Sequence, residues 1–294
     1  MTTDMITPLV GLLIGSFILG SIYSLIAMGL SLLWSTVGLA NFAHGAVLVT
    51  GAFIAWYLVE LTGFPYAAFL AIPMLFVLGL AMDTALFKRL RYQADAGLRL
   101  IMITLTLAIV IEQLLNIVFG GVRRRIPIML AGKVDLGTAT IFNQHLLTFA
   151  IAMLTLAVMY FVLTRTTIGL AMRAIGQSML ESLAVGLNVE RVYSVTVGVG
   201  FMLAGVAGML LGSMYVFDAT FGRAPLFIGY IIVVLGGLGT IKGTIYASYL
   251  VAAIEALTTF FLGGSWRIAV PFLAMILVLI IRPRGLFGLK EEIR

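Results

Sequence analysis

The chain has 294 residues, of which 62% are hydrophobic and only 10% charged, a composition typical of polytopic membrane proteins that excludes an ordinary soluble domain. Its 18 Lys and Arg residues outnumber its 12 Asp and Glu residues, and in a membrane protein this excess indicates basic cytoplasmic loops rather than nucleic-acid binding. The chain has no cysteine, which excludes disulfides, thiolate metal sites and a cysteine nucleophile.

The predicted helices follow charge-free segments of about 20 residues, the length that crosses the hydrocarbon core of a bilayer. In chain order they are residues 9–33, 45–60, 65–86, 100–119, 146–164, 192–215, 226–241, 244–262 and 268–281. The predicted fold is therefore an all-α polytopic integral membrane protein, with one transmembrane domain over residues 1–294. We expect the first helix to be a retained span, because it lacks the basic segment and cleavage site of a signal peptide.

A break is predicted between the first two helices, near residues 34–45. No charged residue lies between Asp4 and Glu60, and this stretch is far longer than one crossing needs. The sequence WSTVGLANFAHG at 34–45 supplies polar side chains for freed backbone groups and glycines for tight geometry. The chain therefore crosses the membrane nine times, or eight times if this segment is re-entrant.

Basic segments set the predicted orientation. Residues 88–99 and the C-terminal tail at 282–294 are rich in Lys and Arg, and such segments are biased towards the cytoplasm. The C-terminus is therefore predicted to be cytoplasmic, and the parity of the crossings places the polar segment at 165–191 on the same side. The arginines at 123–125 oppose this assignment, because they fall in an outer loop.

Catalysis by this chain alone is not expected. The sequence LGGLGTIKGT at 235–244 contains the residue types of a phosphate-binding loop, but Lys242 precedes Gly243 instead of following the last glycine. His44 and His145 are the two histidines of the chain, and neither lies in a catalytic motif or at a spacing that supports a metal site. We expect no enzyme activity, no metal and no cofactor in this chain.

Polar side chains at membrane depth are the candidate pathway or gating residues. Burial of such groups is costly unless they are paired or face water. The candidates are Asn41, His44, Glu112, Gln113, Asn116 and Glu255. Each can instead be a structural group: Glu112 and Asn116 share a helix face and can join helices, whereas Glu255 stands alone in its predicted span. Asp218 and Arg223 are expected near an outer loop, in contact with solvent.

A stripe of small residues indicates close helix packing. Gly200, Ala204, Gly208 and Gly212 recur every fourth residue, so they lie on one helix face and permit a neighbouring backbone to approach. A flexible glycine hinge is the alternative.

The segment RAIGQSMLESLAVGLNVERV, residues 173–192, is a polar island in this apolar chain. Ile175, Met179 and Ser182 fall near one helical face, which predicts a short surface helix. Gly186 can end that helix, and Asn188 can cap the next one. The charges of the island cancel, so its attraction to lipid is weak and a protein partner is favoured.

Five motifs together carry a family resemblance. They are GLANFAHGAVLVTGAF at 38–53, GLAMRAIGQSMLESLAVGLNVERV at 169–192, AGVAGMLLG at 204–212, LGGLGTIKG at 235–243 and RPRGLFG at 282–288. In this order they resemble the LivH-type branched-chain amino acid permeases of ATP-binding-cassette importers. Residues 120–128 and 216–227 depart from the family pattern.

The resemblance implies an importer in the bacterial inner membrane. A second permease, LivM-like or a copy of this chain, would complete the solute pathway, and an external binding protein would deliver the solute. Two cytoplasmic ATPases would bind ATP and magnesium and would contact residues 165–191, which contain most of the island, as a coupling loop. The implied coupling residues are Arg173, Ala174, Glu181, Ala184, Gly186 and Asn188.

Other functions stay open at this point. The broken segment and the intramembrane acids also suit a proton-coupled secondary transporter or a channel that works alone. A non-transporting assembly subunit is a third interpretation. Among importers, urea, short amides and small organic acids are alternatives to branched-chain amino acids.

Overall fold

The computed structural model describes residues 3–93, 95–135 and 140–288, with side chains described from residue 10 onward. The helices are α1 (Thr3–Leu32), α2 (His44–Thr62), α3 (Ala71–Met82), α4 (Lys88–Arg91), α5 (Ala96–Phe119), α6 (Asn143–Arg165), α7 (Thr167–Gln177), α8 (Met179–Ala184), α9 (Val189–Met214), α10 (Arg223–Gly236), α11 (Ile241–Leu262) and α12 (Ala269–Ile281). The two short strands are β1 (Lys133–Asp135) and β2 (Thr140–Phe142). The prediction of an all-α membrane protein is confirmed.

Eight helical stretches within the described residues are long and apolar enough to span a membrane. They are Val10–Val37, His44–Thr62, Pro65–Arg91, Ala96–Phe119, Asn143–Arg165, Val189–Met214, Ile241–Leu262 and Gly264–Ile281. Helix α10 has only 14 residues, a length of about 21 Å against a hydrocarbon core of about 30 Å. The prediction of a helix of full spanning length at 226–241 is therefore wrong. The helix ends early because Gly237 and Gly239 adopt the left-handed region, with φ of 99° and 79°.

The two ends of the bundle are distinct. At the hairpin end, β1 and β2 pair antiparallel, and Arg124 and Phe217 exchange two backbone hydrogen bonds of 2.8 Å. At the island end lie α7 and α8, which α6 connects to the hairpin. The tail reaches the island end, where the Leu286 amide donates to the Leu235 carbonyl at 2.8 Å. Residues 289–294, with Lys290 and Arg294, lie outside the described residues.

Helix α9 is the centre of the bundle, packed against α1, α2 and α3. A Cβ atom on Gly208 would collide with the Leu48 carbonyl of α2. A Cβ atom on Gly51 would lie 2.5 Å from the Gly205 Cα atom. Helices α2 and α9 therefore cross with their backbones in contact, which only small residues allow.

The small-residue stripe of α9 lies along several neighbours. Gly200, Ala204, Gly208 and Gly212 are all buried. Gly200 faces the Leu33 side chain, and Gly212 faces Phe217. Gly205, which the stripe did not include, packs on a different side, against Leu75 of α3.

The break between α1 and α2 occupies residues 38–43. A π-helical turn, Leu33–Val37, extends α1 beyond its predicted end at residue 33. Gly38 then ends the helix with φ of 70°, and its amide donates to the Trp34 carbonyl at 3.0 Å. Near the start of α2, the Asn41 Oδ1 atom accepts a hydrogen bond of 3.0 Å from the Ala43 amide. A local side chain thus satisfies one backbone group that the break frees.

Candidate functional site

Two helices begin inside the bundle and meet at their first residues. Helix α2 begins at His44 and α10 at Arg223. A Cβ atom on Gly45 would lie 2.5 Å from the Gly222 carbonyl oxygen, so the two starts are in backbone contact. Discontinuous helices of this kind are common at the solute sites of transporters.

Glu112 of α5 forms an ion pair with Arg223 at the start of α10. The Arg223 Nε atom donates to both carboxylate oxygens, at 3.1 and 3.2 Å, and Nη2 donates to Oε2 at 2.6 Å. Glu112 is buried, whereas 63% of the Arg223 side chain is exposed. Arg223 is exposed, as expected, but it is not simply solvated, because the folded chain also brings it against Glu112. Asn116, one turn further along α5, is partly buried.

Asn41 and His44 are fully buried at the start of α2. Within the described residues, Asn41 Nδ2 and both His44 ring nitrogens have no hydrogen-bond partner of normal geometry. The His44 ring packs against Gly29, where an added Cβ atom would lie 2.9 Å from the imidazole Cε1 atom. These two side chains therefore lie in the packed interior, with the His44 ring against α1.

Glu255 is not alone, contrary to the sequence-based interpretation. The Tyr23 hydroxyl donates to Glu255 Oε2 at 2.8 Å. Arg267 donates to the other carboxylate oxygen and, at 3.3 Å, to the Tyr23 hydroxyl. Arg267 was not recognised from the sequence because it follows α11 and lies 12 residues after Glu255, beyond the reach of helical spacing. The three groups join α1, α11 and the turn before α12.

Replacing Tyr23 by phenylalanine is expected to lower the free energy of unfolding by about 1.5–3 kcal/mol, the usual contribution of a hydrogen bond to a charged group. The measurement is the thermal midpoint of the purified protein in detergent. Tyr160→Phe, at an exposed tyrosine of α6, is the matched control. Equal midpoints for the two variants would contradict the structural importance of this cluster.

Asp83 is a buried acid that the sequence analysis overlooked. Its carboxylate pairs with Arg91 and accepts a hydrogen bond of 2.6 Å from the Ser194 hydroxyl. The Arg91 guanidinium also lies 4.4 Å from the centre of the Tyr193 ring. An ionisable residue inside an apolar segment is a signal in itself, and that signal was present at Asp83.

The island forms two short helices, so the prediction of one surface helix is wrong. Ser178 is extended between α7 and α8 and caps α8, where its hydroxyl accepts from the Glu181 amide at 3.3 Å. Gly186, two residues after the end of α8, has φ of 82°. The Asn188 Oδ1 atom caps α9 by accepting from the Arg191 amide at 3.0 Å.

The island presents an apolar outer surface. Helix α7 is anchored on the bundle through buried Met172 and Ile175. Helix α8 instead exposes Leu180 by 80%, and Val185 just after it is 76% exposed. The predicted coupling residues Arg173, Glu181, Ala184, Gly186 and Asn188 are exposed, and Ala174 is partly exposed.

A cavity of about 860 Å³ opens beside the island. It is lined by Trp34 and Ser35 after α1, by Arg173 and Gln177 of α7, and by Val234 and Leu238 at the end of α10. The cavity therefore lies between helix α7 of the island and the C-terminal end of the short helix α10. The described residues contain no group of three or more His, Asp or Glu side chains suited to a metal ion.

The fold and this site together define a membrane transport protein of the permease class. The chain belongs to the family described as branched-chain amino acid transport system / permease component, whose model matches residues 12–279. It is therefore a permease subunit of an ATP-binding-cassette importer, and the resemblance found in the sequence is confirmed.

Relatives from bacteria and archaea match the chain over most of its length. The chain is 28% identical to the high-affinity branched-chain amino acid transport system permease protein BraD of Pseudomonas aeruginosa, over 95% of each chain. It is 26% identical to LivH of Escherichia coli K12, over 93% of each. A probable LivH of Methanocaldococcus jannaschii is 25% identical, over 93% of this chain and 91% of that one. These relatives are named as permeases and not as enzymes.

A solved structure shares the fold. PsaBC from Streptococcus pneumoniae in complex with Fab matches with a TM-score of 0.52 and 10% identity, over 92% of this chain and 91% of that chain. At this identity the likeness concerns the fold alone.

Proposed function

We propose that this chain forms half of the transmembrane pathway of an importer for branched-chain amino acids. A second permease, LivM-like or a copy of this chain, forms the other half. An external binding protein delivers the solute, and two cytoplasmic ATPases supply the ATP and magnesium chemistry. This chain itself contributes no catalytic residue and no cofactor. The names of the relatives, all permeases of branched-chain amino acid transport, support the proposed solute class.

The exposed apolar surface of α8 is the observation that carries the proposed coupling to the ATPases. Exposed leucine and valine side chains on a short helix suit a protein groove. Helix α7, on the same segment, packs on the bundle. A movement of an ATPase against α8 would therefore reach α7 and the cavity beside it. Such coupling requires that the contact differ between two conformational states.

We place the chain in the cytoplasmic (inner) membrane with the island and the C-terminus in the cytoplasm. The described tail packs at the same end of the bundle as α7 and α8. The basic segment at residues 88–99 lies at this end too, where Lys88 pairs with Glu190 at 2.7 Å. The excess of basic residues near the ends of the spans favours this end as the cytoplasmic one.

Purification of the tagged chain from its native cells in mild detergent tests the proposed assembly. We expect mass spectrometry to find two ATPase subunits and a permease pair. Reconstituted with its binding protein in liposomes, the complex is expected to take up leucine only when ATP is present. A chain that is purified alone and moves solute on an ion gradient without ATP would instead be a secondary transporter.

Leu180→Glu and Val185→Glu are each expected to lower solute-stimulated ATP hydrolysis by about tenfold or more. A carboxylate buried in an apolar interface leaves an unpaired charge, which typically costs at least about 2 kcal/mol. Val134→Glu at the hairpin end is the matched control, since Val134 is also exposed. Normal stimulation in a well-folded island variant would refute the coupling contact.

A further inference from the structure

Arg223 is a charged side chain exposed at membrane depth. Glu112, its partner, lies seven residues before the end of α5 at Phe119, which is about 10 Å along the helix. Helix α10 rises about 21 Å from the island end, which leaves about 10 Å of a 30 Å core beyond Arg223. Both estimates place the pair inside the outer part of the bilayer.

This exposed surface cannot face lipid at an acceptable cost. An arginine with 63% of its side chain exposed would bring a charge into hydrocarbon, and such side chains normally face a bundle interior or a water-filled cavity. The neighbouring Gln113 of α5 is exposed as well. In the assembled transporter, this side of the chain therefore faces water or the second permease.

The same side of α10 continues to the cavity at the island end. Apart from Ala224, which is also exposed, the more exposed residues of α10 recur every three or four positions, at Arg223, Phe227, Tyr230 and Val234, and Leu238 just after the helix continues the pattern. The Tyr230 ring lies 5.1 Å from the ring of Phe42 in the break before α2. Val234 and Leu238 line the 860 Å³ cavity. One stripe thus connects a charged pair, a group of aromatic rings and a cavity.

We propose that Arg223 and Glu112 bind the zwitterionic head group of an α-amino acid within the membrane. This proposal rests on the proposed importer function. The Arg223 guanidinium donates two parallel hydrogen bonds to the solute carboxylate, and the Glu112 carboxylate accepts hydrogen bonds from the solute ammonium group. The apolar side chain of the solute then lies along Phe227 and Tyr230.

The chemistry of the pair selects for a solute with both charges. A zwitterion that inserts between Arg223 and Glu112 places its carboxylate beside Arg223, in place of Glu112. Its ammonium group lies beside Glu112, in place of Arg223, so both charges stay paired. A solute with only a carboxylate leaves Glu112 buried without a partner, and a buried unpaired charge is strongly unfavourable. Simple organic acids are therefore excluded as solutes of this site, and urea, which carries neither charge, cannot replace the partner of either residue.

Cysteine labelling tests whether this side of the chain faces water. The chain has no native cysteine, so a single cysteine reports one position. In the reconstituted complex, Ala224→Cys, beside Arg223, is expected to react with a sulfonated methanethiosulfonate at least about tenfold faster than Leu154→Cys, since a thiol in lipid does not ionise. Leu154 is an exposed residue in the middle of α6 and is the matched control. Equally slow labelling of both would overturn the proposal.

Protection from labelling tests the ligand. Without the binding protein, saturating leucine is expected to slow the labelling of Ala224→Cys, whereas 4-methylpentanoate and 3-methylbutylamine, which each carry one of the two charges, are not. In a variant that also carries Glu112→Gln, protection by leucine should be lost. Equal protection by all three compounds, or by none, would overturn the proposal.

Leucine uptake by a variant in which both Arg223 and Glu112 are neutral separates an effect on solute binding from an effect on folding. Arg223→Gln alone leaves Glu112 unpaired and can unfold the chain, so the double variant Glu112→Gln with Arg223→Gln is used. We expect it to elute as a monodisperse complex and to take up leucine at least about tenfold more slowly, from the loss of charged hydrogen bonds. Arg123→Gln, at an arginine of the hairpin end with a 79% exposed side chain, should transport normally. If the double variant takes up leucine as fast as the unmodified complex, the proposed site is overturned and the importer assignment stands. If the unmodified complex itself takes up no leucine, both proposals are overturned.

Discussion

Asp83→Ala is expected to lower the free energy of unfolding by about 3–5 kcal/mol, because it leaves one member of a buried ion pair without its partner. Asp83 is fully buried, and only 7% of the Arg91 side chain is exposed. The alanine would also remove the acceptor of the Ser194 hydroxyl on α9. The pair and the serine together fix the end of the third span against the central helix.

A double variant shows whether the effect comes from the unpaired charge. Replacing Asp83 and Arg91 together by leucine removes both charges, and such replacements are often neutral or stabilising. We therefore expect Asp83→Leu with Arg91→Leu to recover most of the thermal midpoint that Asp83→Ala loses. A double variant as unstable as Asp83→Ala would instead mean that the charges are needed for the fold.

Gly208→Val is expected to prevent recovery of a folded chain, and Gly208→Ala to destabilise it by about 1–3 kcal/mol, the usual cost of overpacking. The added atom of alanine would meet the Leu48 carbonyl, which belongs to the backbone of α2 and cannot rotate away. Gly51→Ala should behave in the same way, since its added atom would meet the backbone of Gly205. The measurement is the amount of monodisperse protein in detergent and its thermal midpoint.

Gly15→Ala is the matched control for the glycine variants. Gly15 also lies within a spanning helix, but an added Cβ atom there has no other atom within 4 Å. The variant should be as stable as the native chain or slightly more so, because alanine favours a helix. If Gly208→Ala is equally stable, α2 and α9 do not cross with their backbones in contact.

Local features of the fold could be predicted from the sequence alone. The break near residues 34–45, the helix stop at Gly186 and the cap at Asn188 depend on a few adjacent residues, so their physical causes are visible in the chain. The membrane class is equally accessible, because a helix must satisfy its own backbone within about 20 apolar residues. For the same reason the ends of most spans were predicted within a few residues.

The partners of Glu112 and Glu255 could not be predicted, because they depend on which helix faces meet. Glu112 and Arg223 are 111 residues apart, and Glu255 contacts Tyr23 across 232 residues. Hydropathy along one chain shows that such groups need partners, but it does not show which partners they find. The early end of α10 was missed for a different reason: the apolar residues beyond Gly236 continue the hydropathy pattern, although the glycines that end the helix are visible in the sequence.

The sequence by itself determined that this protein is an all-α permease of the branched-chain amino acid transport family, because composition, local helix signals and ordered motifs are properties of the chain. Only the tertiary structure decided that α10 is a short helix that begins beside the start of α2 and that Arg223 meets Glu112 there. The reason is physical: a charge in an apolar segment can be stabilised by a partner on another helix or by water, and only packing selects between them.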